Sequence, residues 1–298
     1  MSAPDAVAPS ASPAPVWWLA SARAIGGMAW VILGCTIILI LCAGPIVVGV
    51  DGILGALHPA LGVRLGIPAA VLLLALAGSL LFRRPLHLVR RRRELVWIAF
   101  PCGVGAVLVL LAVAGLTGVA VDAAEPPVVL AGAFLLGTLV VLVQVLGEEL
   151  LLRGLLQPLL TRAWGAWLGV LLTALTFTFI HVMGGWTDAV SLLNITLAGI
   201  WFGLLALRTS GLAAPTLAHF GYNWGEEMLV GASPNPGIGD FGALFDYDLA
   251  GPAILGGSVD GFNASIVLSL VLLALIVPLA LLRARGAADR PKVLEARP

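Results

Sequence analysis

Charged residues are scarce in this chain. Asp, Glu, Lys and Arg together make up 11% of its 298 residues, while hydrophobic residues make up 60%. An ordinary soluble domain carries about 25% charged residues, which it needs to cover a surface that faces water. The composition therefore excludes a soluble globular enzyme, a disordered protein and a nucleic-acid-binding protein with a basic surface. It predicts a membrane protein with several spans.

Cysteine is also scarce, and the usual metal-binding spacings are missing. The three cysteines, Cys35, Cys42 and Cys102, all lie in apolar stretches. An odd number without a CxxC pair excludes a disulfide framework and a cysteine-based zinc site. The sequence also lacks HExxH, which is the zinc-binding spacing of many soluble metalloproteases.

Long apolar runs dominate the remainder. A helix that crosses a bilayer needs roughly 17–25 predominantly apolar residues. Eight runs meet this length, and the fourth is expected to continue as a helix toward Arg162. The runs are Ile25–Val48, Gly66–Phe82, Leu95–Ala120, Val128–Leu152, Gly165–Met183, Ala189–Leu207, Leu212–Val230 and Asn263–Leu282. We therefore expect an all-α, polytopic membrane helix bundle with eight transmembrane helices.

The few charges separate by sign when these spans alternate across a membrane. The basic residues outside the spans, from Arg23 to Arg297, then share one side, except for Arg64. The other side holds Arg64 and acidic residues such as Asp51, Asp188 and Asp260. Basic residues accumulate on the cytoplasmic side of membrane proteins. The pattern predicts that both termini are cytoplasmic and that the arginine cluster at 90–93 is a topology anchor beside anionic lipid.

The chain divides by composition into four segments. Residues 1–22 are rich in Ala, Pro and Ser near their start and are expected to form a disordered cytoplasmic tail. Residues 23–120 hold the first three spans, whose interiors contain almost no ionisable groups, so a scaffold role is expected. Residues 121–285 hold spans four to eight and the candidate catalytic core, and residues 286–298 form a second cytoplasmic tail.

Ionisable residues inside membrane spans are energetically unfavourable and are functional candidates for that reason. In this chain they are concentrated in spans four, five and seven. They are Glu148, Glu149 and Arg153 in the fourth span, His181 in the fifth, and His219, Glu226 and Glu227 in the seventh, where the polar Asn223 also lies. The i,i+4 spacing of Glu149 with Arg153, and of His219 with Asn223, places each pair on one helix face.

The spacing also predicts which side chains meet. Glu148 and His181 each lie about 16 residues from the expected turn at 163–165, so a rise of about 1.5 Å per residue puts them at equal height. A carboxylate beside a histidine can act as a general base on water. A second histidine with an asparagine can donate hydrogen bonds to an oxyanion. The same residues could instead hold a zinc-bound water, since His and Glu are zinc ligands.

Three short motifs resemble those of a known family. Residues 148–153 fit EExxxR, residues 177–181 fit FxxxH and residues 219–223 fit HxxxN. In this order on membrane spans, they resemble the CAAX-protease and bacteriocin-processing (CPBP, or Abi) family of intramembrane proteases, over roughly 128–282. The resemblance implies that Glu148 activates a water together with His181, and that His219 and Asn223 stabilise the oxyanion. Glu149 and Arg153 would then be paired structural residues that hold the fourth helix in place.

The resemblance implies further expectations about function. It implies an intramembrane endopeptidase of the bacterial inner membrane, acting on membrane-embedded or lipidated peptide substrates within the lipid bilayer, with no nucleic-acid partner. The cofactor is left open between none and a divalent metal such as zinc, for which Glu148, His181 and His219 would be the ligands. The alternatives are a non-catalytic immunity or partner-binding protein of the same fold, and a proton-coupled transporter. Glu226 and Glu227 have no role in the family pattern and are expected to face outer water, to contact substrate or to bind a metal.

Overall fold

A computed structural model describes residues 17–42, 61–84, 86–122, 130–233 and 241–282. Within these residues, a helix lies at each of the eight positions that the apolar runs predict. The helices are α1 (Trp17–Cys42), α2 (Leu61–Leu81), α3 (Glu94–Leu116), α4 (Ala131–Trp164), α5 (Ala166–Met183), α6 (Ala189–Thr209), α7 (Ala213–Trp224) and α8 (Ile266–Leu281). The all-α bundle is confirmed at this level.

Length and composition qualify six of these helices, α1 to α6, to cross a membrane. Helix α8 is apolar but shorter, and α7 has only 12 residues before it changes to a π-helical turn at Gly225–Val230. The eight crossings and the cytoplasmic termini therefore stay predictions.

The predicted N-terminal tail, residues 1–22, extends too far along the chain. Helix α1 begins at Trp17, so residues 17–22 are helical, while residues 1–16 lie outside the described part. Trp17 and Trp18 are exposed at the start of this helix, as is common for tryptophan at a membrane–water interface. The segment 286–298 also lies outside the described residues.

Many large apolar side chains point away from the bundle. Examples on four different helices are Leu33, Leu80, Trp97 and Leu270, all more than half exposed. Contiguous apolar surface of this extent is rare on a soluble monomer. The outer surface of the bundle therefore suits contact with lipid rather than water.

Helices α3 and α7 pack backbone to backbone through two glycines. A Cβ on Gly103 would collide with the carbonyl oxygen of Ala218, and a Cβ on Gly221 would collide with the carbonyl oxygen of Phe100. Small residues permit such close approach between helices in membranes. The scaffold helix α3 thus lies directly behind the helix that carries His219 and Asn223.

A small sheet joins the segments that follow α3 and α7 to a third strand from the chain before α8. It contains β1 (Ala120–Asp122), β2 (Ala232–Ser233) and β3 (Tyr247–Leu249) in the order β1-β3-β2, with β1 antiparallel and β2 parallel to β3. The apolar runs do not predict this sheet, because strands of two or three residues are too short to show an alternating pattern. The sheet closes the bundle at the end where α3 and α7 finish.

The amide of Asn194 ties α6 to the start of α8. Its Nδ2 donates hydrogen bonds to the carbonyl oxygens of Asn263 (2.9 Å) and Ser265 (2.8 Å), and its Oδ1 accepts one from Ser269 (2.6 Å). A second tie links Ser191 on α6 to Asp260, just before the 3-10 turn Gly261–Ala264. These bonds fix the side of the bundle where α8 meets the candidate site.

Candidate active site

Both pairs of adjacent glutamates lie at π-helical turns. Helix α4 changes to π-helix at Leu150–Leu156, directly after Glu148 and Glu149. The turn at Gly225–Val230 contains Glu226 and Glu227. π-Helical turns are rare, and they occur frequently at functional sites because they shift side chains relative to the regular helix. The two turns thus mark the same regions that the ionisable residues mark.

Glu149 and Arg153 form a fully buried ion pair. Arg153 Nη1 donates to Glu149 Oε1 at 2.8 Å, and neither side chain is exposed. Arg153 Nη2 also donates to the carbonyl oxygen of Gly199 on α6, at 3.1 Å. The pair that the spacing predicts is therefore present, and it links α4 to α6.

His219 joins this pair from α7. Its Nδ1 lies 2.9 Å from Glu149 Oε1. The same Oε1 atom accepts a hydrogen bond from Arg153 and therefore acts as an acceptor here as well. His219 Nδ1 is thus the donor in this bond. Glu149 thereby connects α4 to α7 through a single carboxylate, and Arg153 extends this connection to α6.

Aromatic rings fix the orientation of His219. The Phe202 ring stacks on the imidazole at 4.6 Å with an interplanar angle of 18°, and Phe177 lies edge-on at 6.1 Å. The Arg153 guanidinium lies over the same two rings, 5.1 Å from the centroid of Phe177 and 5.4 Å from that of Phe202. Such cation–π contacts help to hold a charge in an apolar site.

Glu148 has no such partner and is the more accessible of the two carboxylates. Its side chain is 22% exposed, and its Oε2 lies 3.8 Å from His219 Nε2. Gln144, one helical turn earlier, donates to Glu148 Oε1 at 3.4 Å. Weak contacts and partial exposure leave this carboxylate available to a water or a substrate.

His181 is held in one tautomer. Its Nδ1 lies 2.9 Å from the carbonyl oxygen of Phe177, which can only accept, so Nδ1 carries the proton of this bond. In the neutral ring, Nε2 then keeps its lone pair. The rings of Phe177 and Trp186 lie edge-on to the imidazole, at 4.5 and 6.0 Å.

One cavity of about 230 Å³ brings the candidate catalytic residues together. Glu148, His181, His219 and Asn223 all line it. Glu148 and His181 also share the wall of a neighbouring cavity, as expected for residues at equal height on an antiparallel pair. The apolar and aromatic part of the wall includes Phe177, Trp186, Ile195, Trp201, Phe202, Leu268 and Leu272.

The same cavity contains polar residues that sequence reasoning did not assign to it. They are Arg64, Gln144, Asn194, Tyr222, Asn263, Glu226 and Glu227. Glu226 and Glu227 are only 3% and 9% exposed, so the expectation that they face outer water is wrong. The spacing gave a signal for two others, since Gln144 precedes Glu148 by four residues and Tyr222 precedes Glu226 by four.

The donors of the site do not form a preformed metal centre. In the described residues, no group of three or more His, Cys, Asp or Glu side chains is arranged to hold a metal ion. His181 and His219 each direct Nδ1 to an acceptor, Phe177 and Glu149, which leaves Nε2 of both rings able to act as a ligand. As placed, the side chains do not form a three-ligand zinc site, and no step of the proposed chemistry passes through a metal.

A comparison with protein-family models matches residues 128–225 to the family described as type II CAAX prenyl endopeptidase Rce1-like. The matched segment, about a third of the chain, is similar to the CAAX-protease family. A search of curated proteins and a search of solved structures each found no match to the chain. The predicted family is thus confirmed, and at a coarse level the match supports a protease in a multi-pass membrane protein.

The CAAX-protease segment contains all three motifs and stops before α8. It begins at the predicted residue 128 and ends at 225, short of the predicted 282. Side chains outside it still line the cavity, among them Arg64 on α2 and Leu268 and Leu272 on α8. The complete site therefore needs helices on both sides of the matched segment.

Proposed function

We propose that the chain is an intramembrane endopeptidase that hydrolyses peptide bonds of membrane-tethered or lipidated substrates. The observation that carries this proposal is the single cavity in which an accessible carboxylate, two imidazoles and an amide meet between apolar walls. This set has the groups for adding water to a peptide carbonyl and lacks a serine or cysteine nucleophile. The match to the CAAX-protease family supports the same chemistry.

The water is activated by Glu148 and His181. Glu148 is partly exposed and accepts only one weak bond from Gln144 among the described residues, so its carboxylate can bind the attacking water. His181 has its Nδ1–H fixed on Phe177, which leaves Nε2 to accept a proton. The proton leaves the water as its oxygen adds to the carbonyl, and it is then delivered to the departing amine.

The oxyanion is stabilised by His219 and Asn223 on α7. Asn223 lines the cavity one turn after His219, and its amide can donate to a developing negative charge. His219 uses Nδ1–H toward Glu149, so donation from Nε2 requires the imidazolium form. Its Nε2 lies 3.8 Å from Glu148 Oε2, beside the carboxylate that binds the water.

The substrate reaches the site within the lipid bilayer. In this proposal the chain crosses the bacterial inner membrane eight times with both termini in the cytoplasm, and the basic connections at 83–93 lie on the cytoplasmic side. The apolar cavity walls suit a lipidated or membrane-embedded peptide better than a free polar one. No nucleic-acid partner is expected.

The test is peptide cleavage in proteoliposomes. The substrate is an internally quenched peptide with a prenylated CAAX end, compared with the same peptide without the lipid. Glu148→Gln and His181→Asn should each abolish cleavage without changing the thermal midpoint, while Glu94→Gln, an exposed position at the start of α3, should cleave normally. Normal cleavage by the Glu148 variant, or the absence of cleavage by the unmodified protein on both peptides, would overturn the proposal.

A further inference from the structure

A second cavity of about 220 Å³ is lined by Arg153 of the Glu149–Arg153 ion pair and lies between α4 and the connection from α6 to α7. Arg153 and Gln157 on α4 line it, together with Thr161 on the next turn. Arg84 and Arg90 come from the connection between α2 and α3. None of the four candidate catalytic residues lines this cavity.

Four buried polar atoms without a hydrogen-bond partner among the described residues belong to side chains that line it. They are Arg84 Nε, Arg153 Nε, Thr161 Oγ1 and Gln157 Oε1. Buried polar groups in native structures are nearly always hydrogen-bonded, so each exception needs an explanation. Three of the four atoms are donors. The side chains around this cavity are therefore arranged for a ligand that accepts hydrogen bonds.

The cavity is also strongly basic. Arg84, Arg90 and Arg153 line it, and none of its described lining residues is acidic. Partial burial, together with the charges of Arg162 and Arg23, lowers the pKa of Arg84. Apart from the Glu149 partner of Arg153, the described residues around the cavity supply no carboxylate to match this positive charge.

The walls of the cavity are joined by backbone hydrogen bonds. The amides of Arg90 and Arg91 donate to the carbonyl oxygen of Thr209 at 3.1 and 2.9 Å, and the amide of Leu212 donates to the carbonyl oxygen of His87 at 2.9 Å. A Cβ on Gly211 would collide with the carbonyl oxygen of Leu88. The connection that carries the arginines is thus held firmly against the end of α6, and the cavity is a preformed feature.

We propose that this cavity binds a phosphate group, with Arg84, Arg90 and Arg153 as its cationic ligands and Thr161 as a neutral donor. Arginine binds phosphate through its planar set of N–H donors. Arg153 directs two of its donors to Glu149 and Gly199, and its Nε–H has no partner among the described residues. A bound phosphate would therefore share a guanidinium with the ion pair that positions His219.

Two sources can supply a phosphate at this position. Basic pockets between helices at a membrane face bind the headgroups of anionic lipids, and inorganic phosphate has the same chemistry. Arg90 is exposed at the mouth of the cavity, on the face that the charge pattern predicts to be cytoplasmic. Either a headgroup or a free ion can approach from this side.

The first arm of the test measures the affinity for inorganic phosphate. The full-length protein in a neutral detergent is titrated with sodium phosphate, and its thermal midpoint is compared with that in sodium chloride of equal ionic strength. The second arm uses nanodiscs of phosphatidylcholine alone or with phosphatidylglycerol, and counts retained anionic lipids by native mass spectrometry. Stabilisation by phosphate indicates the free ion, and retention of phosphatidylglycerol indicates the headgroup.

Variants identify the site in both arms. Removal of one charge-assisted hydrogen bond should weaken binding about tenfold or more, so Arg84→Gln and Arg90→Gln should lose the response. Arg93→Gln is the matched control, because it removes an exposed arginine of the same connection that does not line the cavity. If Arg84→Gln fails to fold, the response of Arg90→Gln tests the site, because an exposed side chain can be replaced without unfolding the protein.

Two results would overturn the proposal. The first is a wild-type protein that responds to neither phosphate nor phosphatidylglycerol. The second is a response that Arg84→Gln and Arg90→Gln retain at the strength of Arg93→Gln, which would show general charge attraction to the basic face. Neither result depends on peptide cleavage, so the phosphate site and the proposed enzyme function are tested separately.

Discussion

The two adjacent glutamates of α4 should respond in opposite ways to the same substitution. Glu149 is fully buried between Arg153 and His219, whereas Glu148 is 22% exposed and lies in the cavity. We predict that Glu149→Gln mainly lowers the stability of the protein and that Glu148→Gln mainly removes its activity. The side chains are the same, so the difference comes from their surroundings.

The expected magnitude follows from the burial of each side chain. Removal of one member of a buried ion pair destabilises a protein by about 3–5 kcal/mol, because the other charge stays buried without compensation. Substitution of a partly exposed group that makes only weak contacts usually changes stability by about 0.5 kcal/mol or less. The two variants should therefore differ by at least about 2.5 kcal/mol, close to a hundredfold in the unfolding equilibrium constant.

Reversible unfolding in mixed detergent micelles, followed by circular dichroism, measures this difference. Peptide cleavage in proteoliposomes is measured on the same preparations at a temperature where both variants are folded. Equal stability of the two variants would refute the reasoning, since the buried pair would then contribute nothing. A stable Glu149→Gln variant without activity would instead place Glu149 in the chemistry.

Three further predictions concern other contacts of the bundle. Gly103→Ala should destabilise the protein by at least about 1–3 kcal/mol through overpacking against α7, whereas Gly105→Ala, with open space around it, should not; the unfolding assay compares the two. Asn194→Ala removes three hydrogen bonds to the start of α8 and should destabilise by about 2–4 kcal/mol, seen as faster proteolysis around residue 260. Asn223→Ala should lower kcat by about 10²–10³ with an unchanged thermal midpoint, as expected for loss of an oxyanion donor; an unchanged kcat would remove it from that role.

Much of this architecture could be predicted because hydrophobic length is a direct consequence of bilayer thickness. All eight apolar runs correspond to helices in the described residues. The i,i+4 spacing predicted the contact of Glu149 with Arg153. The equal distances of Glu148 and His181 from the turn at 163–165 predicted that these two residues meet, and they share a cavity. Both inferences need only a regular helix and one turn.

The features that were missed depend on irregular backbone or on distant packing. Glu226 and Glu227 lie in the π-helical turn at Gly225–Val230 and are buried there, although a position near the end of a membrane span predicts contact with water. The second cavity requires the connection at 83–93 to meet the end of α6, a contact between segments far apart in the chain. Neither feature leaves a periodic signal in the amino-acid sequence.

The close contact between Gly103 and α7 has a consequence for the order of assembly during synthesis. Helix α3 enters the membrane well before α7 is translated, so its glycine face is already present when the helix with His219 and Asn223 arrives. The helix that completes the cavity can then dock against a finished surface, and the polar residues that it carries pass quickly from water to their partners. A chain shortened to the matched segment 128–225 would lack this surface. We expect such a fragment to be degraded rather than to fold with low activity.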